Sequence, residues 1–392
     1  MKPMAGASRR KIPDSERLLL WVRSGGRCAI CNRYLLESGT AYQEVRLGEL
    51  AHIVGQKSTP GSPRGKSSLP AEERDRADNI VLLCADDHDE IDHPELVELF
   101  TIDLLRDVKQ RHEDRIRHVT ALGVDSSTVV IRAVGTVRGA AVEVPRSTAA
   151  AAVIASASRF PDFALSHDRH GLEIDLRGIP GEADGDGAYY RAAARVIDEA
   201  VAQRLKPAVA ERLVPHLSVF AFARLPLLVY LGSRLDDSIP TDIYQRHRNT
   251  ELWAWPQRAK RTTFTFKNPL EPGTAREAVL AVNASGTIHP HELPAPLRRL
   301  PAFIIEPQRV TPSPDIISNP RSLASFDSTI RNLLAELEQT HKRVGRLHVV
   351  AAMPVSAAVT LGRCVAWGVH PNLAVYDRAN GTYTLAMEIT AP

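Results

Sequence analysis

Apolar positions divide the chain into stretches of different rhythm. Over Ile102 to Val119, Leu104, Leu105, Val108, His112 and Ile116 fall along one side, which predicts a long amphipathic helix. Ser15 to Arg23 predicts a shorter helix, stopped by Gly25-Gly26. Val45 to Val54 and Ile80 to Leu83 read as strands, and the stretch from Cys84 to about Asp92 opens another helix. Val119 to Pro145, rich in Val, Gly and Thr, reads as one or two strands that join two domains.

Beyond residue 170 the pattern repeats at a constant offset of 130. Leu217, Val219, Ala221, Val229, Leu231, Gly232 and Arg248 meet Leu347, Val349, Ala351, Val359, Leu361, Gly362 and Arg378. Ile239 meets Val369, and Trp253 meets Tyr383. The strand Leu172 to Leu176 matches Ala302 to Glu306, and the helix Ala188 to Leu205 matches Asp315-Ile316 through the long run Leu323 to His341. Pro226 to Leu235 matches Pro354 to Ala366. Each copy (about 172–255 and 302–385) therefore predicts strand, long helix, strand, turn, helix, strand. Such alternation implies right-handed crossovers and parallel sheets. The expected fold class is multidomain α/β: a small domain over 1–120, a connecting segment over 121–150, and two fused Rossmann-like halves over 151–392.

Composition narrows the function classes. The 392 residues are 44% hydrophobic and 24% charged, ordinary for a globular chain, and the net charge is only +3. Nucleic-acid binding must therefore come from local patches. Residues 1–33 supply one, an excess of +6 that includes Lys2, Arg9, Arg10 and Lys11. The loop Gly55 to Ser68 supplies another, with Lys57, Arg64 and Lys66 and no acid. Such side chains contact phosphates without reading bases, and few aromatics interleave them, so duplex DNA is favoured over single strands. No apolar run approaches 18 residues and no h-region follows the basic start, so neither a spanning helix nor a signal peptide is expected.

Three of the four cysteines lie in the first 84 residues. Cys28-x-x-Cys31 has knuckle spacing, and Cys84 with His88 places a second pair at i, i+4. The expectation is a structural zinc on Cys28, Cys31, Cys84 and His88, with Asp87 as the alternative fourth ligand, in a reducing compartment.

Between these pairs a strand ends in His52-Ile53, Asn79 enters the second strand, and Leu83-Cys84 leads into a histidine-bearing helix ending at Ile91-Asp92. From Arg27 to His93 this arrangement resembles the HNH (ββα-metal) nucleases. The resemblance implies that His52 is the general base, that Asn79 holds the catalytic loop or the histidine, and that a divalent cation, usually magnesium, serves the phosphodiester. Many members place a metal-binding His or Asp directly before the catalytic histidine; here that residue is Ala51. Asp92 occupies the place of the family's last metal-binding histidine, with His93 and Glu49 as alternatives.

In the repeated half, ligands are expected beyond the carboxyl ends of the strands, where helix N-termini point. Those places are Phe222 to Pro226 and Ala352 to Ser356, which single out Arg224, Pro226, Met353, Pro354 and Ser356. Tyr244, Arg246, Tyr376 and Arg378 follow the next strand of each copy and would stack on bases or pair with phosphates, unless the tyrosines are core. Trp253 and Trp255 share one face, and core packing is expected of at least one.

The run Leu347 to Pro354, then Leu361-Gly362-Arg363, His370-Pro371 and Val375-Tyr376-Asp377, resembles the SAVED domain, two fused CARF-like units that bind cyclic oligonucleotides. HNH followed by SAVED is the architecture of effector nucleases in bacterial CBASS anti-phage systems. The resemblance implies a cytoplasmic endonuclease that a cyclic di- or oligonucleotide activates by driving self-association, and that degrades double-stranded DNA. Two alternatives stand beside it. One is a constitutive restriction-type nuclease, which the small +4 excess of residues 121–392 disfavours. The other is a non-catalytic nucleotide-binding regulator in which Ala51 marks a decayed site.

Overall fold

The structure, a computed structural model, describes residues 11–38, 43–59, 61–122, 126–163, 172–235, 237–256, 258–268, 275–379 and 381–391. Lys2, Arg9 and Arg10 of the basic arm lie outside them. The chain divides into two compact units, Met1–Leu122 and Gly123–Pro392.

The first unit starts with α1 (Asp14–Arg23), whose first turn carries Asp14 and Glu16, favourable at a helix N-terminus. Gly25 and Gly26, both at positive φ, turn the chain out of it into the cysteine knuckle. β1 (Glu49–His52) pairs antiparallel with β2 (Ile80–Leu83), setting His52 opposite Ile80. α2 (Ala85–Asp92) follows directly, and α3 (Ile102–Thr120), capped by Thr101, closes the unit. The core holds Leu20, Ile53, Leu82, Leu83, Ile91 and Leu105. This is a small core, so cross-linking through a metal would matter for its stability.

The second unit opens with β3 (Ser127–Val134) and the small ribbon β4 (Thr136–Val137) and β5 (Ala140–Ala141). α4 (Arg146–Ala157), β6 (Phe160–Asp162) and β7 (Leu172–Asp175) come next. α5 (Gly187–Ala200), capped by Asp186, runs through a π-helical turn into α6 (Lys206–Ala210). β8 (Leu217–Phe222), α7 (Leu225–Arg234) and β9 (Thr241–Tyr244) complete the first half. β3 is central to an all-parallel sheet, with β6 and β7 sharing one edge and β8 then β9 on the other. The second half contains β10 (Phe264–Lys267), β11 (Glu277–Asn283), β12 (Ala302–Pro307), α8 (Pro320–Thr340), β13 (Arg346–Ala352), α9 (Val355–Arg363), β14 (Asn372–Ala379) and β15 (Thr382–Ile389). Its sheet order is β10-β12-β11-β13-β14-β15, parallel except at the two outer pairs.

The two sheets share an ordering, β7-β3-β8-β9 against β12-β11-β13-β14. This duplication includes one strand per half that the 130-residue offset does not reveal. Segment 121–150, expected to connect, supplies β3, almost wholly buried, and the start of α4. The starts of β3 and β7 are 45 residues apart and those of β11 and β12 only 25, so a constant offset cannot align the first strands. α7 packs on β14 and β15 of the other half, and α9 on β8 and β9. The halves therefore exchange helices across one continuous hydrophobic core.

Candidate functional sites

The knuckle and α2 bring four metal-ligating groups together. Ligand atoms of Cys28, Cys31, Cys84 and Asp87 lie within 4.8 Å of one another. Cys28 and Cys84 Sγ donate to Asp87 Oδ2 at 2.8 and 3.1 Å, and Cys31 Sγ is 3.7 Å from Cys84 Sγ. Three soft thiolates and one carboxylate suit a tetrahedral zinc site. Desolvation and the facing Asp87 carboxylate push the Cys31 thiol up to about 12, and burial raises Cys84 as well. A bound cation reverses that balance by favouring thiolate.

His88 does not join this cluster. Cys84 is the N-cap of α2 rather than a helical residue, and its Sγ accepts from the backbone N–H of Asp87, three positions on. The i, i+4 geometry expected for Cys84 and His88 requires both to be helical. The His88 imidazole instead lies between Glu49 Oε2, 2.5 Å from Nδ1, and Asp92 Oδ2, 3.6 Å from Nε2. Asp92, Glu49 and their hydrogen bonds hold this imidazole above its usual pKa.

His52 ends β1 with its Nε2 3.1 Å from Asp75 Oδ1, and Gln56 donates to the same oxygen. Asn79 is buried. Its Oδ1 accepts from Val54 N at 2.9 Å, and its Nδ2 donates to the carbonyls of Val54 and Arg74. It thus staples the chain just after His52 to the segment bearing Asp75. Arg64, expected at the DNA surface, is buried instead. It donates to the carbonyls of Ile53 and Ile91 and sits 2.5 Å from Asp92 Oδ1. Arg74 binds the carbonyls of Gly55, Gly65, Ser67 and Leu69. The glycine- and serine-rich loop lacks a core of its own, and these guanidiniums take its place. His93 is exposed, its Nδ1 accepting from Glu95 N.

In the second unit a cleft of about 810 Å³ lies where β8 and β13 end. Arg138, Arg224, Arg246, Arg248 and Arg378 line it against Glu251, Glu292 and Asp377. The N-termini of α7 and α9 face it, and neither N-cap side chain bonds its helix. The positive ends of two helix dipoles thus add to the arginine excess. Arg224 bridges the halves, 2.9 Å from Glu182 and 2.6 Å from Asp377, while the Tyr190 hydroxyl donates to Asp377. Arg378 pairs with Glu292 at 2.5 Å and Arg246 with Glu251 at 3.2 Å. Arg248 makes no ion pair among the described residues.

Of the residues expected here, Arg224, Arg246, Met353, Pro354 and Arg378 line the cleft. Pro226 is buried within α7, and Ser356 is buried with its N–H and hydroxyl both on Gln245 Oε1. Tyr244 stacks on Phe220 in the core, and the Tyr376 hydroxyl is 3.1 Å from His348 Nδ1. Neither tyrosine lines the cleft, which the chain reaches only past them, at Gln245 and Arg246 in one half and at Asp377 and Arg378 in the other. Trp253 is core, as expected of at least one tryptophan. Sequence reasoning passed over Asp75, Arg138, Gln245 and Arg248 as site residues. For Arg248 the signal was present, since it is the repeat partner of Arg378.

Residues 197–389 match the family model described as "SMODS-associated and fused to various effectors sensor domain", SAVED. No curated protein matches the chain. Among solved structures, the Acinetobacter baumannii Cap4 SAVED/CARF-domain containing receptor with the cyclic trinucleotide 2'3'3'-cAAA is 13% identical, with a TM-score of 0.45 over 78% of this chain and 60% of that one. The same receptor with 3'3'3'-cAAA gives 14% and 0.46, over 76% and 62%. The Moraxella osloensis Cap4 receptor gives 15% and 0.42, over 82% and 66%. The chain thus spans about three fifths of the Acinetobacter chains. Among the described residues no helix is long and apolar enough to cross a membrane.

Proposed function

From the SAVED domain at residues 197–389, we propose that the second unit senses a cyclic oligonucleotide in CBASS-type defence and that its occupancy governs a metal-dependent DNA endonuclease in the first unit. The observation that carries the sensor reading is the cleft itself: five arginines and two helix N-termini converge on a space of about 810 Å³. That volume lies within the range of small-molecule sites, and the donors suit a ligand bearing several phosphates. In the cleft as it stands, carboxylates neutralise Arg224, Arg246 and Arg378. Ligand phosphates would displace Glu251 and Glu292 from their arginines, while Arg248 binds without such a competitor. The nucleotide activates only if it binds the assembled state better than the free one. Self-association would then multiply the phosphate contacts available to duplex DNA.

In the first unit, Asp75 accepting from Nε2–H of His52 leaves Nδ1 to take the proton of a water attacking the phosphodiester. Asn79 positions the segment between them. Glu49, His88 and Asp92 are the donors on that side suited to a divalent cation such as magnesium, which would supply Lewis-acid stabilisation of the phosphate. The thiol cluster with Asp87 would hold the structural zinc. A non-catalytic sensor is the second reading, favoured by Ala51 and by Arg64 engaging Asp92 Oδ1.

The test mixes full-length protein, plasmid and magnesium with a panel of cyclic di- and trinucleotides, following solution mass in parallel. Cutting should require one nucleotide, accompany a rise in mass, and fall about 100-fold or more in His52→Ala. Cutting without nucleotide overturns the sensor control. Binding without cutting under any condition overturns the endonuclease.

A further inference from the structure

A second cavity, of about 560 Å³, lies in the same unit beside the start of β9, and Arg159, Arg331, Arg363, Tyr244 and Trp255 are among the residues that line it. Three arginines converge here against two aspartates, Asp242 and Asp327. Arg331 is 3.0 Å from Asp327, whereas Arg159 has no ion pair among the described residues. Burial and the neighbouring Arg331 charge hold the Arg363 guanidinium below its ordinary pKa, a strain that a bound anion would relieve. Tyr244, itself buried, forms part of the wall. Trp255 is half-buried and contributes an aromatic ring to the lining.

We propose that this cavity is a second ligand site, for a nucleoside monophosphate, with the phosphate on Arg159 and Arg363 and the base against Trp255. The cavity lies outside the SAVED cleft but shares two elements with it. α9 carries Thr360 and Arg363 on this cavity and Val355 on the cleft, about 7.5 and 12 Å apart along one helix. On β9 and its continuation, Tyr244 lines this cavity and the next residue, Gln245, lines the cleft. Gln245 also holds Ser356 in the first turn of α9. A ligand that shifts α9 or β9 at one end therefore alters the other, and linkage makes the effect reciprocal.

Calorimetric titration of the full chain with AMP, and separately with inorganic phosphate, tests the assignment. AMP should bind at least tenfold more tightly than phosphate. Arg159→Ala should weaken AMP about tenfold while Arg159→Lys retains most of the binding. Arg378→Ala, in the cleft, should leave AMP binding unchanged, and thermal melting checks that each variant is folded. No AMP binding by the wild-type chain, or equal loss in Arg159→Ala and Arg378→Ala, overturns the second site. Binding of phosphate as tight as AMP overturns the base-binding half. The coupling rests on the cleft reading, and an AMP affinity unchanged by a cyclic trinucleotide that demonstrably binds would overturn that coupling alone.

Discussion

Gly232 and Gly362, 130 positions apart, each face the backbone of the other's helix: Gly232 lies against Val359 and Gly362 against Val229. Val229 and Val359 are themselves 130 apart, so the contact is its own image under the pseudo-two-fold of the repeat. A Cβ at either glycine would meet a carbonyl oxygen, which cannot rotate away as a side-chain end can.

Alanine at either position should therefore destabilise the second unit. Helix propensity favours alanine by about 1 kcal/mol, but overpacking costs about 1–3 kcal/mol, and a backbone obstacle places the cost at the upper end. The expected result is a net loss of about 1–2 kcal/mol and a melting temperature several degrees lower in each single variant. Gly232→Ala with Gly362→Ala should cost less than the two singles together, because one separation of α7 from α9 relieves both. Additive losses would show that the glycines do not share a crossing.

Zinc content should follow Asp87 and not His88. Asp87→Ala and Cys31→Ser should lose the metal and unfold the first unit, and His88→Ala should keep it, measured by elemental analysis of purified protein. Loss in His88→Ala with retention in Asp87→Ala would restore the ligand set expected from the cysteine spacing. Nucleotide binding by the second unit should survive in all three variants.

Cyclic-oligonucleotide affinity should depend on arginines that the repeat pairs. Arg248→Ala and Arg378→Ala should each weaken binding by about tenfold or more, with a reduced salt dependence, since each removes a charge-assisted contact. Tyr244→Phe and Tyr376→Phe should leave the affinity near that of wild type, because neither ring reaches the cleft. A large effect of either tyrosine would put the ligand elsewhere.

Acid should weaken the second unit through His216. Burial, with the charges of Arg159 and Arg363, pushes this imidazole from 6.5 down to about 4. Between those values the unfolded chain binds a proton that the folded one does not, so stability falls as pH drops from 6.5 towards 4. The loss amounts to at most about 3 kcal/mol. Urea unfolding at pH 7, 5.5 and 4.5 should show this slope, and His216→Asn should flatten it. An unchanged slope in the variant would assign the acid sensitivity to other groups.

The sequence by itself determined whatever rests on short-range spacing. Amphipathic periodicity placed α3, the apolar run 80–83 placed β2, and the offset of 130 paired β7, β8 and β9 with β12, β13 and β14. Local rules also located the strand ends that form the cleft, because a strand followed by a proline-led helix turns there whatever surrounds it. Tertiary structure alone decided which side chains meet. The unequal first connections hid β3 and β11 from any fixed offset. The position of Cys84 as a cap rather than a helical residue brought Asp87 to the thiols and left His88 to Glu49 and Asp92. Arg64 reads as a surface charge, yet it is drawn inside by carbonyls from two distant segments. Asp377 becomes a partner of Arg224 only because two halves, with these residues 153 positions apart, fold against one another. Periodicity constrains neighbours within one turn or one pleat, whereas these contacts depend on loop lengths and on the desolvation of groups that are far apart along the chain.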